Sequence, residues 1–284
     1  MGSIRRASVA GMFYEAIQDR LIQQIEWAFT HALGPGSIPQ PVKAPIKDIL
    51  GLITPHAGYM YSGPIAAHGY YALAVKGTPD LFIILGPNHT GYGVPVSVMG
   101  EGVWETPLGQ VVIDSEAAKY IVRVSGVADF DYSAHLYEHS IEVQLPFLQY
   151  IYGKFKFVPI CLMLHNLDVA KDLAKAINSY ATETGKRVVV IATSDFTHYE
   201  PHEIAVKKDK MAIDCILELN SKKFYEVLLE HDMSICGPGP IMTLIEYAKM
   251  SDAKNVKLLK YATSGDITGD KSAVVGYASI VFSR

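Results

Sequence analysis

Two short apolar runs, each closing on a proline and then a histidine, constrain this chain most: Ile49-Leu-Gly-Leu-Ile-Thr-Pro-His56 and Leu81-Phe-Ile-Ile-Leu-Gly-Pro-Asn-His89. Runs of this length and β-branched content read as buried strands, and the segment from Ser62 to Val75 between them reads as a helix. Strand, helix and strand make a βαβ unit, which lays both strands parallel in one sheet and brings their carboxyl ends to one edge. Open α/β sheets bind ligands at that edge. Either histidine alone reads as turn punctuation; two delivered to one edge by the same device point to a metal or catalytic site.

The rest of the chain repeats this alternation. Ile17, Leu21, Ile25, Ala28, Phe29 and Ala32 recur at helical spacing and predict a helix over about 16–33, stopped by Gly34-Pro-Gly. Residues 37–47 hold three prolines and read as a surface connection. Strands are expected at about 94–98 and 110–114, on either side of a Pro107-Leu-Gly109 turn, then a helix at 115–124. A polar loop over 132–140 feeds a helix from Ile141 to Tyr152, a strand near 156–163 and a helix at 168–184. The strongest strand, from Arg187, precedes helices at 201–219, 221–230 and 238–250, and the last two strands fall near 256–263 and 273–282. This pattern predicts a single α/β domain over residues 1–284, a layered fold with a central, mostly parallel mixed sheet flanked by helices. Three successive helices after residue 200 predict thicker cover on one face of the sheet.

Composition excludes several function classes. With 49% hydrophobic and 19% charged residues over 284 positions, the chain has material for a large core and no mark of disorder. A net charge of −4 and no lysine- or arginine-rich run exclude the electrostatic footprint of a nucleic-acid binder. No apolar run approaches a membrane span and no leader pattern is visible, so a cytoplasmic protein is expected. Cys161 and Cys215 fall in core patterns, whereas Cys236 sits in the tight loop Ser234-Ile-Cys-Gly-Pro-Gly-Pro240. Neither a Gly-x-Ser-x-Gly elbow nor a Gly-x-x-x-x-Gly-Lys phosphate loop is present.

Chemistry-bearing residues gather at strand ends and helix starts: His56, His89, His139, Glu142, Asp195, His198 and Cys236. A divalent metal needs three or four donors converging from different elements, and loops at one sheet edge can supply them. His56 and His89 lead as ligands, with Cys236, Asp195 and Glu142 competing for the third place. A thiolate there favours copper, zinc or iron; a carboxylate gives the two-histidine set of non-haem iron enzymes. His198 and His139 read as proton carriers that Glu138 or Asp195 could orient. Glu142 serves equally well as first-turn support for its helix, and Asp195 as an Asx-turn. His31, His68, His165, His202 and His231 lack the strand-end context and read as surface or packing residues.

Six motifs then carry a resemblance: Val9-Ala-Gly-Met-Phe-Tyr14, Pro55-His-Ala-Gly-Tyr-Met-Tyr-Ser-Gly63, Gly86-Pro-Asn-His89, Trp104-Glu-Thr-Pro-Leu-Gly109, Glu138-His-Ser-Ile-Glu-Val-Gln-Leu-Pro-Phe147 and Ser194-Asp-Phe-Thr-His-Tyr199. Together they resemble the Memo family nearly end to end. That family is similar in fold to the class III extradiol dioxygenases, non-haem iron enzymes that open catechol rings. The resemblance implies a metal at His56, His89 and Cys236, and His198 in the place of the dioxygenases' catalytic histidine. The dioxygenases complete their site with a carboxylate where this chain offers Cys236, so the implied activity is redox chemistry at iron or copper, with zinc as a further metal, rather than ring cleavage. From the reading of the residues themselves, Asp195 and His139 join His198 as expected catalytic groups acting on a small molecule or peptide in the cleft. The alternative expectation is a binding module of the same fold, without catalysis.

Overall fold

The computed structural model describes residues 3–284. In chain order its elements are β1 (Ile4–Arg5), α1 (Gln18–Thr30), β2 (Ile49–Thr54), α2 (Tyr59–Ala74), β3 (Leu81–Pro87), β4 (Val96–Val98), β5 (Val103–Thr106), β6 (Gly109–Ile113), α3 (Ser115–Val124) and β7 (Asp129–Phe130). There follow α4 (Leu145–Tyr152), β8 (Lys156–Leu162), α5 (Leu167–Thr184), β9 (Val188–Thr193), β10 (His198–Glu200), α6 (His202–Leu217), α7 (Ser221–Glu230), α8 (Pro238–Met250), β11 (Asn255–Thr263), α9 (Ser264–Thr268) and β12 (Val274–Ser283).

The strands build one mixed sheet with the path β1-β5-β6-β8-β3-β9-β2-β12-β10. Along that path its middle, from β6 to β2, is parallel; β12 pairs antiparallel with β2, β10 and β11, β5 with β6, and off the path β4 pairs antiparallel with β8. β2, β3 and β9 are buried at every position, which is why they read as continuous apolar runs instead of alternating ones. The two strands of the opening βαβ unit are parallel as expected but are not neighbours: β9 lies between them.

Helices cover both faces. One core joins β2, β3, β8 and β9 to α3, α5, α6, α7 and α8; the other packs the opposite side chains of that sheet on α1, α2 and α4. The face receiving the later helices is the thicker, as their succession predicts. Helix α2 is buried on nearly all sides, which explains its lack of an apolar stripe.

Three local expectations are corrected. Trp104 to Thr106 belong to a strand, β5, whose Trp104 is fully buried, so the hairpin turn is confined to Pro107 and Leu108. The helix expected from Ile141 begins as a 3-10 turn at Glu142–Gln144, because Pro146 suits a helix's first turn and α4 starts one residue before it. His198–Glu200, expected within a loop, pairs as a short strand with β12.

The N-terminal segment is fixed by charge. Arg5 and Glu142, both without exposed side-chain surface, form an ion pair; Arg5 Nε also donates to the His135 carbonyl at 2.9 Å and its second terminal nitrogen to the Glu138 carbonyl at 2.6 Å. Glu142 in turn accepts from the Ser8 and Val9 amides and from the Tyr14 hydroxyl. Removing one member leaves the other's charge buried and uncompensated. Arg5→Met and Glu142→Leu should therefore each lower the unfolding free energy in urea by about 3–5 kcal/mol, and a loss below about 1 kcal/mol would show that the pair is not what secures the segment.

Candidate metal centre

Each donor reaches the site from the carboxyl end of a buried strand or the start of a helix. His56 follows β2 and His89 follows β3, while Glu138 and His139 precede the turn into α4. Asp195 and His198 follow β9, and Cys236 ends the loop that enters α8. The α4 entry ties these segments together: Gln144 Nε2 donates to the Pro55 carbonyl at 3.1 Å and Ser140 Oγ to the Pro87 carbonyl at 2.9 Å. Gly86 admits this approach, since a Cβ there would sit 2.4 Å from Ser140 Oγ.

Nitrogens of His56, His89 and His139 all lie within 4.8 Å of one another. The ring centroids are 5.2 Å apart for His56 and His89, 5.5 Å for His56 and His139, and 4.7 Å for His89 and His139, which stack. Two nitrogens bound to one tetrahedral or octahedral ion at about 2.1 Å stand about 3.0–3.4 Å apart as neighbours, so nitrogens up to 4.8 Å apart must draw together by about 1–2 Å through side-chain rotation to share an ion. Cys236 Sγ is 3.2 Å from His56 Nε2, close to the separation of about 3.5 Å expected for a thiolate and an imidazole on one tetrahedral ion.

Ring orientation is set from behind. His56 Nδ1 meets Thr193 Oγ1 at 2.8 Å, leaving Nε2 for the site. His89 Nδ1 lies 2.9 Å from Glu138 Oε1, and the carboxylate makes Nδ1 the donor and Nε2 the free lone pair. Glu138 also accepts the backbone N–H groups of His89, His139 and Ser140 at 2.6, 2.9 and 2.9 Å. One fully buried carboxylate thus fixes two of the three imidazole-bearing segments.

The electrostatics separate the roles. Burial pushes Glu138 upward, but the hydrogen bond and charge of His89 outweigh it and hold the carboxyl down at about 2. Burial and the neighbouring imidazoles push His56 well below the usual histidine range. His139 is lowered to about 4, by burial first, against the opposing pull of Glu138. His89 moves upward, since the bond to Glu138 overcomes its own burial. Asp195, which accepts the His56 amide at 2.9 Å, is raised by burial to about 6. Burial and then the Asp195 charge raise the Cys236 thiol. His56 and His139 are held neutral and Glu138 favours a proton on His89, which a bound ion would displace, as it would the thiol proton: free lone pairs are what the ion needs.

The structure brings His56, His89 and His139 together, with Cys236 and Asp195 against His56. His139, expected to carry protons, has its nitrogen inside the cluster with those of His56 and His89. Glu142 is not brought in: its oxygens are occupied by Arg5, Ser8, Val9 and Tyr14, so its place as a ligand is withdrawn. His198 stands at the open side, its Nδ1 2.8 Å from the Ser234 carbonyl, which makes Nδ1 the donor and leaves Nε2 free. Among the histidines set aside from sequence, His165 lies beside the site, and its position three residues past the end of β8 was the available signal.

The family described as Memo-like protein matches residues 5–281. A MEMO1 family protein of Desulfurococcus amylolyticus is 56% identical over 98% of both chains, and one of Methanopyrus kandleri is 51% identical over 99% of both. In fold, the chain is similar to the crystal structure of an uncharacterized protein from Escherichia coli K12, with a TM-score of 0.56 at 11% identity, covering 82% of this chain and 99% of that one. No helix among the described residues is long and apolar enough to cross a membrane. With half of all positions shared with relatives along their full length, and every motif of the site inside the matched span, the chain belongs to the Memo family.

Proposed function

We propose that this chain binds one redox-active transition metal, iron or copper with zinc as a competitor, and uses it to act on a small molecule. The observation that carries this reading is the convergence of three imidazoles whose free nitrogens are selected by hydrogen bonds on the far side of two rings. Such an ion would supply a Lewis-acidic, redox-active centre with positions open for substrate. His56 and His89 would hold it, and His139 and Cys236 are the two candidates for the third donor. Glu138 keeps His89 in one tautomer and one orientation. Asp195, half protonated near pH 6, can give or take a proton beside His56, and His198 Nε2 can accept one from the open side. The non-catalytic alternative needs no such orientation of ring nitrogens, which is why the metal reading is preferred.

Metal analysis after purification without chelators tests the reading. About one equivalent of iron, copper or zinc is expected in the wild type and none in His56→Ala combined with His89→Ala; equal content in both would sink it. Glu138→Gln should weaken affinity about 10- to 100-fold, as loss of an orienting carboxylate does. His139→Ala and Cys236→Ser, compared in the same titration, separate the two candidate third donors.

Asp195 gives a pH signature in the metal-free protein. Its folded pKa lies above the unfolded one, so the native state retains a proton that the unfolded chain has released. The contribution of Asp195 to stability therefore falls as pH rises from about 4 to about 6. Relative to Asp195→Asn, the wild type should lose unfolding free energy across that window; parallel profiles would show that the carboxyl is not perturbed.

A further inference from the structure

The open wall of the site carries one more imidazole that sequence reading set aside. His165 lies three residues beyond β8, the strand paired with β3, whose end leads to His89; Pro87 and Leu162 are in register, and the Asn88 amide donates to the Leu162 carbonyl at 2.7 Å. On its other side His165 meets the first turn of α8, just past Cys236. There the Gly239 N–H donates to His165 Nδ1 at 3.2 Å. Gly239 has no room for a side chain, since a Cβ would stand 2.7 Å from that nitrogen.

Because Nδ1 accepts a hydrogen bond, a neutral His165 must carry its proton on Nε2. Neutrality is favoured by burial, by the nearby His89 and by the positive end of the α8 dipole, and the first two lower its pKa to about 4. Nε2 makes no hydrogen bond to the described residues and is not among the buried unpaired atoms, so this N–H opens to accessible space. A neutral imidazole held by a helix N-terminus with its N–H aimed outward is an electrophilic donor, suited to polarising an oxygen without giving up its proton.

We infer that His165 is a ligand-binding residue of this site, donating from Nε2 to an anionic or carbonyl oxygen of the small molecule held beside His89. The inference rests on the metal reading above. It makes the group that meets His165 a carbonyl, carboxylate or phenolate oxygen rather than an amine, because His165 offers a donor there and no acceptor. It also explains Gly239: the ring can lie on the helix start only where no Cβ intervenes.

The test uses the full chain loaded with cobalt(II), with azide as the probe anion, read by the cobalt absorption bands. His165→Phe should bind cobalt as the wild type does but bind azide about tenfold or more weakly, the loss expected for one hydrogen bond to a charged acceptor. His165→Gln, which retains an N–H donor, should recover much of the difference, and Gly239→Ala, which displaces the ring, should behave as His165→Phe does. Should His165→Phe fail to fold, nitrogen-15 spectra of the wild-type imidazoles decide, with Nε2–H required at neutral pH. Unchanged azide affinity in His165→Phe, or a proton found on Nδ1, overturns the inference alone. Failure of the wild type to bind cobalt removes the metal reading and this inference with it.

Discussion

The arrangement depends on what happens behind the histidines, at the buried segment from Glu138 to Gln144. Arg5 holds the Glu138 carbonyl and the Glu142 carboxylate, Ser140 and Gln144 hold the carbonyls of Pro87 and Pro55, and the Glu138 carboxylate holds His89. Strand ends alone would bring loops to one edge without fixing any ring. This segment converts nearness into orientation, at the cost of burying two carboxylates and a guanidinium. Such a cost is tolerable only because every charge has several partners.

The two carboxyl groups of the site illustrate how environment assigns roles. Glu138 and Asp195 are both nearly inaccessible and both receive backbone N–H groups. Glu138 also faces His89 at hydrogen-bond distance and stays ionised, whereas the Asp195 carboxyl is 4.0 Å from His56 Nε2, and it is the Asp195 amide that meets the Cys236 thiol, at 3.2 Å. Burial therefore dominates at Asp195 and hydrogen bonding at Glu138. Their pKa values move apart, to about 2 and about 6, which is the condition for one carboxylate to orient and another to exchange protons.

What the sequence made legible follows the period of its signals. Buried parallel strands write continuous apolar runs, and β2, β3 and β9 were readable from them together with the histidines they deliver. The interposition of β9 between β2 and β3 was not readable, because strand order is a matter of non-local pairing that no local pattern records. Cys236 was visible as a ligand candidate and His139 only as a proton carrier; that His139 also competes as a donor depends on distances of a few ångströms. Glu142 looked like a ligand candidate because a carboxylate near a histidine is the same letter pattern whether it faces a metal or an arginine 137 positions away. His165 was missed for a related reason: its strand ends without the proline that marks the other two, and its partner, the Gly239 amide, is invisible in sequence.

The site is consequently asymmetric, and the asymmetry bears on function. His56, Thr193 and Glu138 are sealed in the core, so donors on that side are held by side chains that cannot move without breaking buried hydrogen bonds. The opposite side is open: His89 retains 35% side-chain exposure and Tyr199 is 79% exposed, in the left-handed region with φ of +58°. A non-glycine residue there is uncommon, and it turns the chain directly after His198, whose amide and Nδ1 are both tied to Ser234. The rigid half is what a bound ion requires and the open half is what an incoming ligand requires. His198, with a free ring nitrogen, and His165, with an unpaired N–H, are the groups left to meet an incoming ligand.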